Sequence, residues 1–325
     1  MEIQNLFFEM AKSKLPPGHH LADIVCDILG ITFNSAYRRI RGETELTVTE
    51  FITLCRHFNI SVDSIINHKP DGVLFKYAPL DLRDMNNYYA HMDRLSDLFK
   101  TISQSAEKEV CFMVQDIPGV HFLPFLNLRL FKIYTWFRSV NQSRITYEEF
   151  VSQVDIPRLS AVFEKIENIY RQTPSTEIWT KDTVKPLLRQ LEYYANLHCF
   201  ERKETFSHLC RQFLELVENV EKYTLQEKKE YNGKTVAFRM YLSSVDIMND
   251  FMITKGDGKN VTAIRLYAVN GVFTSNEYFC TEVETWMQDT IRKSLLLSGS
   301  SEMECFRFFQ EMKDKITELQ EKFEK

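Results

Sequence analysis

The segment TFNSAYRRIR, residues 32–41, decides how this chain is interpreted. Gly30 precedes the segment, Gly42 closes it, and Thr32 is the expected N-cap of a helix. Its apolar side chains recur at the i, i+3, i+4 and i+7 spacing of one helix face. They are Phe33, Ala36, Tyr37 and Ile40. The spacing predicts a short helix whose apolar face packs against a core.

The opposite face of this predicted helix is polar and basic. It carries Asn34, Ser35, Arg38 and Arg41, with Arg39 between the two faces. A guanidinium can bond guanine O6 and N7, an amide can bond adenine N6 and N7, and a hydroxyl can bond a base or a phosphate. Such a face suits the major groove of DNA. A solvated surface helix that is merely basic is the alternative.

The flanking sequence predicts the other helices of a small domain. Residues 3–14 and 21–29 have helical apolar stripes, and Gly30 stands where a tight turn between helices favours a residue without a side chain. TVTE, residues 47–50, has the pattern of a capping box that opens a fourth helix. A short fifth helix is expected over residues 61–66.

Residues 25–65 resemble the five-helix domain of the lambda-repressor-like, Cro/C1-type (XRE) transcription regulators. The matching positions are Cys26 as the small residue, Gly30 at the turn, Arg38, Arg41 and Gly42 at the helix end, and Ser61 and Asp63 at the last helix start. Two departures are visible. Ala22 stands where the family often has a phosphate-binding Gln, and Arg39-Ile40 replaces an aliphatic–Glu pair.

The resemblance implies that residues 1–70 are a helix-turn-helix DNA-binding domain that reads the major groove with residues 32–41. It implies DNA contacts from Thr32, Phe33, Asn34, Ser35, Tyr37, Arg38, Arg39 and Arg41. For Phe33 the two patterns disagree, because its apolar spacing directs it inward while the family pattern directs it outward.

Composition indicates a folded, helix-rich protein of about two domains. The chain has 325 residues, 44% hydrophobic residues, and only 10 Gly and 9 Pro. Its net charge is −5, so DNA binding would depend on the local cluster of arginines rather than on overall charge. Seven cysteines without a Cys-x-x-Cys pair favour reduced thiols. An acidic N-terminus without a signal sequence leads us to expect a cytoplasmic protein.

The rest of the chain, residues 73–325, is expected to be a helical regulatory or dimerisation domain after a turn cluster at residues 68–72. The most apolar window, 120–140, contains three basic residues and is interpreted as a buried core helix rather than a membrane span. Residues 110–114 form either a strand or a buried helix end, and the shortness of this apolar run favours the strand. Alternating apolar residues from 236 and the glycines of residues 255–259 predict a hairpin.

Capping boxes at residues 274–277 and 301–304 predict two final helices, over about 276–293 and 302–323. The last helix has an apolar stripe that either packs in the core or joins two copies as a short coiled coil. The predicted fold class is therefore mainly α: a five-helix domain followed by a helix-rich α+β domain with a small antiparallel sheet near residues 235–273.

No motif of a known enzyme class is present in the sequence, and we expect no catalytic site, no cofactor and no metal. The one cluster with metal-ligand character is His198-Cys199 with His208 and Cys210, for which buried thiols and surface imidazoles are the simpler interpretation.

The expected function is that of a sequence-specific transcription regulator that binds double-stranded DNA and does not bind membranes. A homodimer is expected, and residues 73–325 serve either for dimerisation or for sensing an unidentified small-molecule or protein effector. A protein-interaction adaptor, in which the same domain binds a protein instead of DNA, is the alternative. An enzyme in residues 73–325 is the third hypothesis.

Overall fold

The computed structural model describes residues 2–15, 18–62, 65, 72–77, 79–141, 143–267, 270–299 and 301–324. The chain folds as two units, residues 1–74 and residues 75–325. The expected turn cluster at residues 68–72 lies almost entirely outside the described residues. Each unit is described by itself.

The first unit contains four helices in its described part. They are α1 (Glu2–Lys12), α2 (Leu21–Leu29), α3 (Phe33–Ile40) and α4 (Val48–His57). Their apolar faces meet in one core, which contains Phe7, Val25, Ala36, Leu54 and Ile65. The predicted fifth helix over residues 61–66 lies largely outside the described residues.

Three local predictions for this unit are confirmed. Gly30 ends α2 in the left-handed conformation, with φ of 64°. Thr32 caps α3, since its side chain accepts a hydrogen bond from the backbone N–H of Ser35. Thr47 and Glu50 form a reciprocal capping box at the start of α4.

The second unit combines helices with nine strands in its described part. The helices are α5 (Met85–Ser103), α6 (Leu126–Asn141), α7 (Tyr147–Ser152), α8 (Ile156–Arg171), α9 (Lys185–Asn196), α10 (Lys203–Gln226), α11 (Glu277–Arg292) and α12 (Glu302–Glu324), with a 3-10 turn over Gly119–Phe122. The strands are β1 (Lys76–Tyr77), β2 (Lys108–Met113), β3 (Ser175–Trp179), β4 (Lys228–Tyr231), β5 (Lys234–Leu242), β6 (Phe251–Gly256), β7 (Lys259–Tyr267), β8 (Asn270–Thr274) and β9 (Leu295–Leu296).

The predicted fold class is wrong about the sheet. The strand order is β1-β8-β7-β6-β2-β3-β5-β4, with β9 paired to β5. β2, β3 and β5 run parallel to one another, and the other pairings are antiparallel. The sheet is thus mixed and extends from residue 76 to residue 296, instead of being a small antiparallel sheet near residues 235–273.

The burial of strand β3 shows why the pattern of apolar and polar residues did not predict this sheet. All five of its residues are buried, including Thr176 and Glu177. A strand buried on both faces has no alternation of apolar and polar residues, which is the pattern that marks a half-exposed strand. β2 was expected as a strand over residues 110–114, and the β6–β7 hairpin was expected at residues 255–259; both are present.

Helices cover both faces of the central strands. On one face Phe112, Trp179 and Phe238 belong to a large core shared with α6, α8, α10 and α12. On the other face Cys111 and Ile178 pack with Val283 and Met287 of α11. Parallel strands require this cover on both sides because their backbones carry apolar side chains in both directions.

Helix α6 is the core helix expected from the apolar window at residues 120–140. Its residues from Leu128 to Thr135 are all buried, including two basic ones. Lys132 Nζ donates to Asp116 Oδ2 at 3.0 Å, and the Arg129 guanidinium lies 4.4 Å from the centre of the Phe163 ring. Among the described residues no helix has the combined length and apolar character needed to cross a bilayer.

Two predictions about the last helices have different outcomes. The prediction of a capping box at residues 274–277 is wrong. The N-cap of α11 is Asn276, whose side chain accepts a hydrogen bond from the backbone N–H of Phe279. The apolar stripe of α12 is core: Phe309, Met312 and Ile316 are buried within the second unit, where α12 packs along α10.

A network around the buried carboxylate of Glu177 connects β3 with the 3-10 turn, α8 and β4. Glu177 is fully buried and accepts hydrogen bonds from His121 Nε2 at 2.9 Å, Tyr170 Oη at 2.7 Å and Trp179 Nε1 at 2.9 Å. Lys229 of β4 lies over the Tyr170 ring and donates to the Tyr170 carbonyl at 2.8 Å. Burial alone would raise the pKa of Glu177, but attraction to His121, hydrogen bonds from His121 and Tyr170, and attraction to Lys229 lower it below 4.5.

We predict that Glu177→Gln destabilises the second unit and changes its pH dependence. The amide accepts fewer hydrogen bonds than the carboxylate and leaves part of the buried donor set of His121, Tyr170 and Trp179 without an acceptor, which costs about 1–3 kcal/mol. Because the folded pKa of Glu177 lies below its unfolded value, its ionised form stabilises the fold above about pH 4.5, and that stabilisation is lost as the pH falls through the folded pKa.

Urea unfolding followed by tryptophan fluorescence measures this effect, since all three tryptophans lie in the second unit. The stability difference between the wild-type protein and Glu177→Gln should be largest at neutral pH and should shrink below pH 4.5. A difference that is independent of pH would contradict the ionised state assigned to Glu177.

Candidate nucleic-acid interface

Helix α3 is held in place by a side chain from the first helix. Gln4 of α1 is buried, and its Nε2 donates to the carbonyl oxygens of Arg39 at 2.7 Å and Thr44 at 2.9 Å. Its Oε1 accepts from the backbone N–H of Leu46 at 2.9 Å. The amide thereby satisfies backbone groups that the end of a helix leaves without partners, and it fixes the path of the chain between α3 and α4.

The C-terminal end of α3 turns sharply at Gly42. Gly42 has φ of 73°, and the backbone N–H of Glu43 donates to the carbonyl oxygen of Arg38 at 2.8 Å. This geometry is that of a helix closed by a left-handed glycine. A Cβ at Gly42 would lie 3.2 Å from Oδ1 of Asn5, so the turn also approaches α1 closely.

Fewer residues of α3 face the core than its apolar spacing predicts. Ala36 is fully buried and Ile40 is partly buried, but Phe33 is 49% exposed and Tyr37 is 43% exposed. The prediction from apolar spacing that Tyr37 packs in the core is wrong, and Phe33, for which the two patterns disagree, lies at the surface. An eight-residue helix that enters the core through one alanine leaves its flanking aromatic residues at the surface.

The outward face contains six of the eight residues expected to contact DNA. Thr32, Phe33, Asn34, Tyr37, Arg38 and Arg41 are exposed. Ser35 is half-buried, and its Oγ lies 3.0 Å from the Thr32 hydroxyl, so it takes part in the cap of α3. An amide, two guanidinium groups and two aromatic rings therefore share one surface of a short helix.

Arg39 does not belong to this outward surface. Its side chain is only 17% exposed, and its guanidinium donates to Glu50 Oε1 at 2.9 Å. The other oxygen of Glu50 accepts from the backbone N–H of Thr47 at 2.8 Å, so one carboxylate both caps α4 and fixes α3. Burial would raise the pKa of Glu50, but the hydrogen bonds from Thr47 and Arg39 lower it.

The exposed cations share one nearby acid. Arg38 Nε and a guanidinium nitrogen of Arg41 each lie 3.8 Å from a carboxylate oxygen of Glu43, and both arginine side chains are 65% exposed. An exposed pair of this length contributes about 0–1 kcal/mol, so both guanidinium groups can exchange Glu43 for another anion. The arrangement can bind phosphate or the hydrogen-bonding edge of a guanine.

The residues with metal-ligand character do not form a site. Within the described ranges no three His, Cys, Asp or Glu side chains come together as ligands. Cys199 is buried against the Arg138 guanidinium, and Cys210 is buried within α10.

Two cavities of the second unit differ in size and lining. A cleft of about 500 Å³ lies between α6 and α9 and is lined by Thr135, Trp136, Ser139, Arg189, Gln190, Tyr193 and Tyr194. This lining contains no carboxylate and no imidazole. A crevice beside His121 and Tyr170 has a volume of only about 10 Å³, about the space of one water molecule. The larger cavity therefore lacks an acid–base pair, and the smaller one lacks room for a substrate.

No protein-family model, curated protein or solved structure matches this chain. The resemblance of residues 25–65 to lambda-repressor-like regulators accordingly stands on the motif residues alone. The exposed face of α3 carries amide, guanidinium and aromatic groups, a combination whose chemistry suits the binding of a partner.

Two sets of interactions that shape this surface are not predicted by the sequence. Gln4 carries no motif, and its bonds to the carbonyl oxygens of Arg39 and Thr44 join positions 35 and 40 residues apart. The Arg39–Glu50 pair spans 11 residues between two helices. The only available signal was the replacement of an aliphatic residue by Arg39 at a position that the family pattern makes apolar.

We predict that substitutions at the two neighbouring arginines change the stability of the first unit by very different amounts. Arg39→Gln removes a partly buried, charge-assisted hydrogen bond and should destabilise the first unit by about 1.5–3 kcal/mol. Arg38→Gln changes an exposed side chain and should alter stability by less than about 0.5 kcal/mol.

Hydrogen exchange of peptides from residues 2–62 of the full chain measures both effects. Arg39→Gln should speed exchange in α3 and α4, and Arg38→Gln should leave it unchanged. Equal protection in the two variants would show that Arg39 does not hold the helices together.

Proposed function

We propose that this protein is a sequence-specific DNA-binding regulator in which the first unit places α3 in the major groove of duplex DNA. The observation that supports this proposal is the combination of Asn34, Arg38 and Arg41 on one exposed face of a short, capped helix. The amide can bond adenine, and each guanidinium can bond guanine or phosphate. The partly buried Arg39–Glu50 pair keeps the helix in a fixed orientation while its outer face stays accessible.

The near balance of basic and acidic residues in the first unit favours a protein that binds DNA as a dimer. Residues 1–70 contain seven basic and eight acidic residues, so a single copy would attract DNA weakly at long range. Two copies on adjacent half-sites compensate for a weak single domain, since linked binding raises the effective affinity. We therefore propose that the protein binds DNA as a homodimer and that the second unit supplies dimerisation or the response to an effector.

We predict that Arg38→Ala weakens DNA binding of the full chain. Loss of a base contact costs about 1–3 kcal/mol, and loss of a phosphate contact reduces the slope of log K against log salt by about 0.9 for each copy. Gel shifts with genomic DNA fragments at two salt concentrations measure both quantities. The exposed Arg189, on α9 of the second unit, is the matched control, and Arg189→Ala should bind as the wild-type protein does.

Two results would contradict the proposal. If the wild-type chain shifts no fragment at low salt, the domain does not bind DNA, and the protein-interaction adaptor takes its place. If Arg38→Ala and Arg189→Ala bind equally well, the face of α3 is not the reading surface.

We predict that Glu43→Gln strengthens DNA binding. Glu43 attracts both Arg38 and Arg41 and would also repel the phosphates that approach them. Relief of one exposed pair corresponds to about 0.2–1 kcal/mol, or up to about a fivefold gain in affinity that declines at high salt. Fluorescence anisotropy with a selected DNA site measures the gain. Weaker binding by Glu43→Gln would mean that Glu43 orients the arginines rather than competing for them.

A further inference from the structure

Phe33, Tyr37 and Arg41 form a row along one edge of α3. They stand at i, i+4 and i+8, which places them above one another on the helix surface. The centres of the Phe33 and Tyr37 rings are 5.2 Å apart with an angle of 46° between the planes. The Arg41 guanidinium lies 5.2 Å from the centre of the Tyr37 ring. The row thus begins with an exposed apolar ring and ends with an exposed cation.

The exposed aromatic rings are not needed to close the core of the first unit. That core is built from other residues, and Phe33 contacts Tyr37 on the surface instead. Exposed aromatic side chains beside arginines mark a binding surface rather than a solvated one, because the apolar area gains free energy only when a partner covers it. The exposed Arg38 and Arg41 favour an anionic partner, and the adjacent amide of Asn34 favours one that offers hydrogen-bonding groups.

Base edges in the major groove offer one apolar group, the C5 methyl of thymine. We propose that Phe33 contacts a thymine methyl and that Arg41 bonds a guanine or a phosphate farther along the groove. This inference rests on the proposed function and names the base that the aromatic edge of α3 selects. Tyr37 packs between Phe33 and Arg41 and holds the Arg41 guanidinium in position.

The length of the row sets the spacing of the two contacts. The Phe33 ring and the Arg41 guanidinium each lie 5.2 Å from the centre of the Tyr37 ring, so the two contacting groups are within about 10 Å of each other. Because base pairs are stacked about 3.4 Å apart, the thymine contacted by Phe33 lies no more than about three base pairs from the contact of Arg41. Each half-site should contain one thymine at a fixed distance from an invariant guanine or from an essential phosphate.

Replacement of thymine by deoxyuridine removes the methyl group and nothing else from the base edge. The full chain first selects its binding site from random duplex DNA, and each thymine of the half-site is then replaced in turn. At one position the wild-type protein should lose affinity about three- to fivefold, which corresponds to roughly 0.8 kcal/mol for one methyl-sized group. Phe33→Ala should bind the thymine and deoxyuridine duplexes equally well.

Ile3→Ala is the matched control, because Ile3 is 49% exposed like Phe33 but lies on α1. This variant should keep the full sensitivity to deoxyuridine. Phe33→Ala should leave the thermal unfolding of the chain unchanged, since the ring is exposed, and this separates loss of recognition from loss of folding.

The outcomes distinguish this inference from the proposed function. If the wild-type chain selects no DNA, the proposed function fails, and the aromatic row belongs to a protein-binding surface. If the chain selects DNA but no thymine position is sensitive, or if Phe33→Ala keeps the sensitivity, DNA binding stands and the thymine contact is overturned.

Discussion

A carboxylate that leaves water must keep enough hydrogen-bond donors to remain ionised, and this requirement organises both units. In the second unit Glu177 gathers donors from the 3-10 turn, from α8 and from β3 itself. In the first unit Glu50 takes donors from its own helix start and from Arg39 of α3. Each carboxylate favours one arrangement of the helices and strands that carry its donors, because hydrogen bonds are directional and apolar contacts are not.

The candidate interface depends on a separation of roles between neighbouring arginines. Arg39 is committed to the fold, while Arg38 and Arg41 project outward with only a long contact to Glu43. Basic residues next to each other in sequence therefore differ in what they can bind. The net charge of the unit gives no indication of this difference, since the local geometry of α3 alone determines which cations reach a ligand.

Local signals in the sequence predicted the start and end of the short helices well. Thr32, Gly30 and the Thr47–Glu50 box act within three or four residues, so their bonds are visible in the spacing. The second unit was harder to predict. Thr274 and Asn276 both offer a capping oxygen, and only the path of β8 decides between them. The buried strand β3 carries Glu177 in a position that the pattern would make apolar, because its donors come from distant elements.

The exposure of the candidate site residues was predicted in part for the same reason. Asn34, Arg38 and Arg41 follow from the helical period, and their exposure agrees with the expected face. Phe33 and Tyr37 share the period of the core face, so periodicity alone could not separate a wide apolar stripe from a single buried Ala36. The helical period puts Arg39 between the two faces, and it cannot show that the side chain bonds inward, because the partner Glu50 lies on another helix.

The inward bond of Arg39 makes the outer face of α3 independent of the stability of the domain. The exposed side chains at positions 34, 38 and 41 can be randomised together while Gln4, Arg39 and Glu50 stay constant and hold the helix. A library built in this way would sample new binding chemistries on an unchanged framework. The same separation allows natural sequence drift to alter what this face binds without first compensating for a loss of folding.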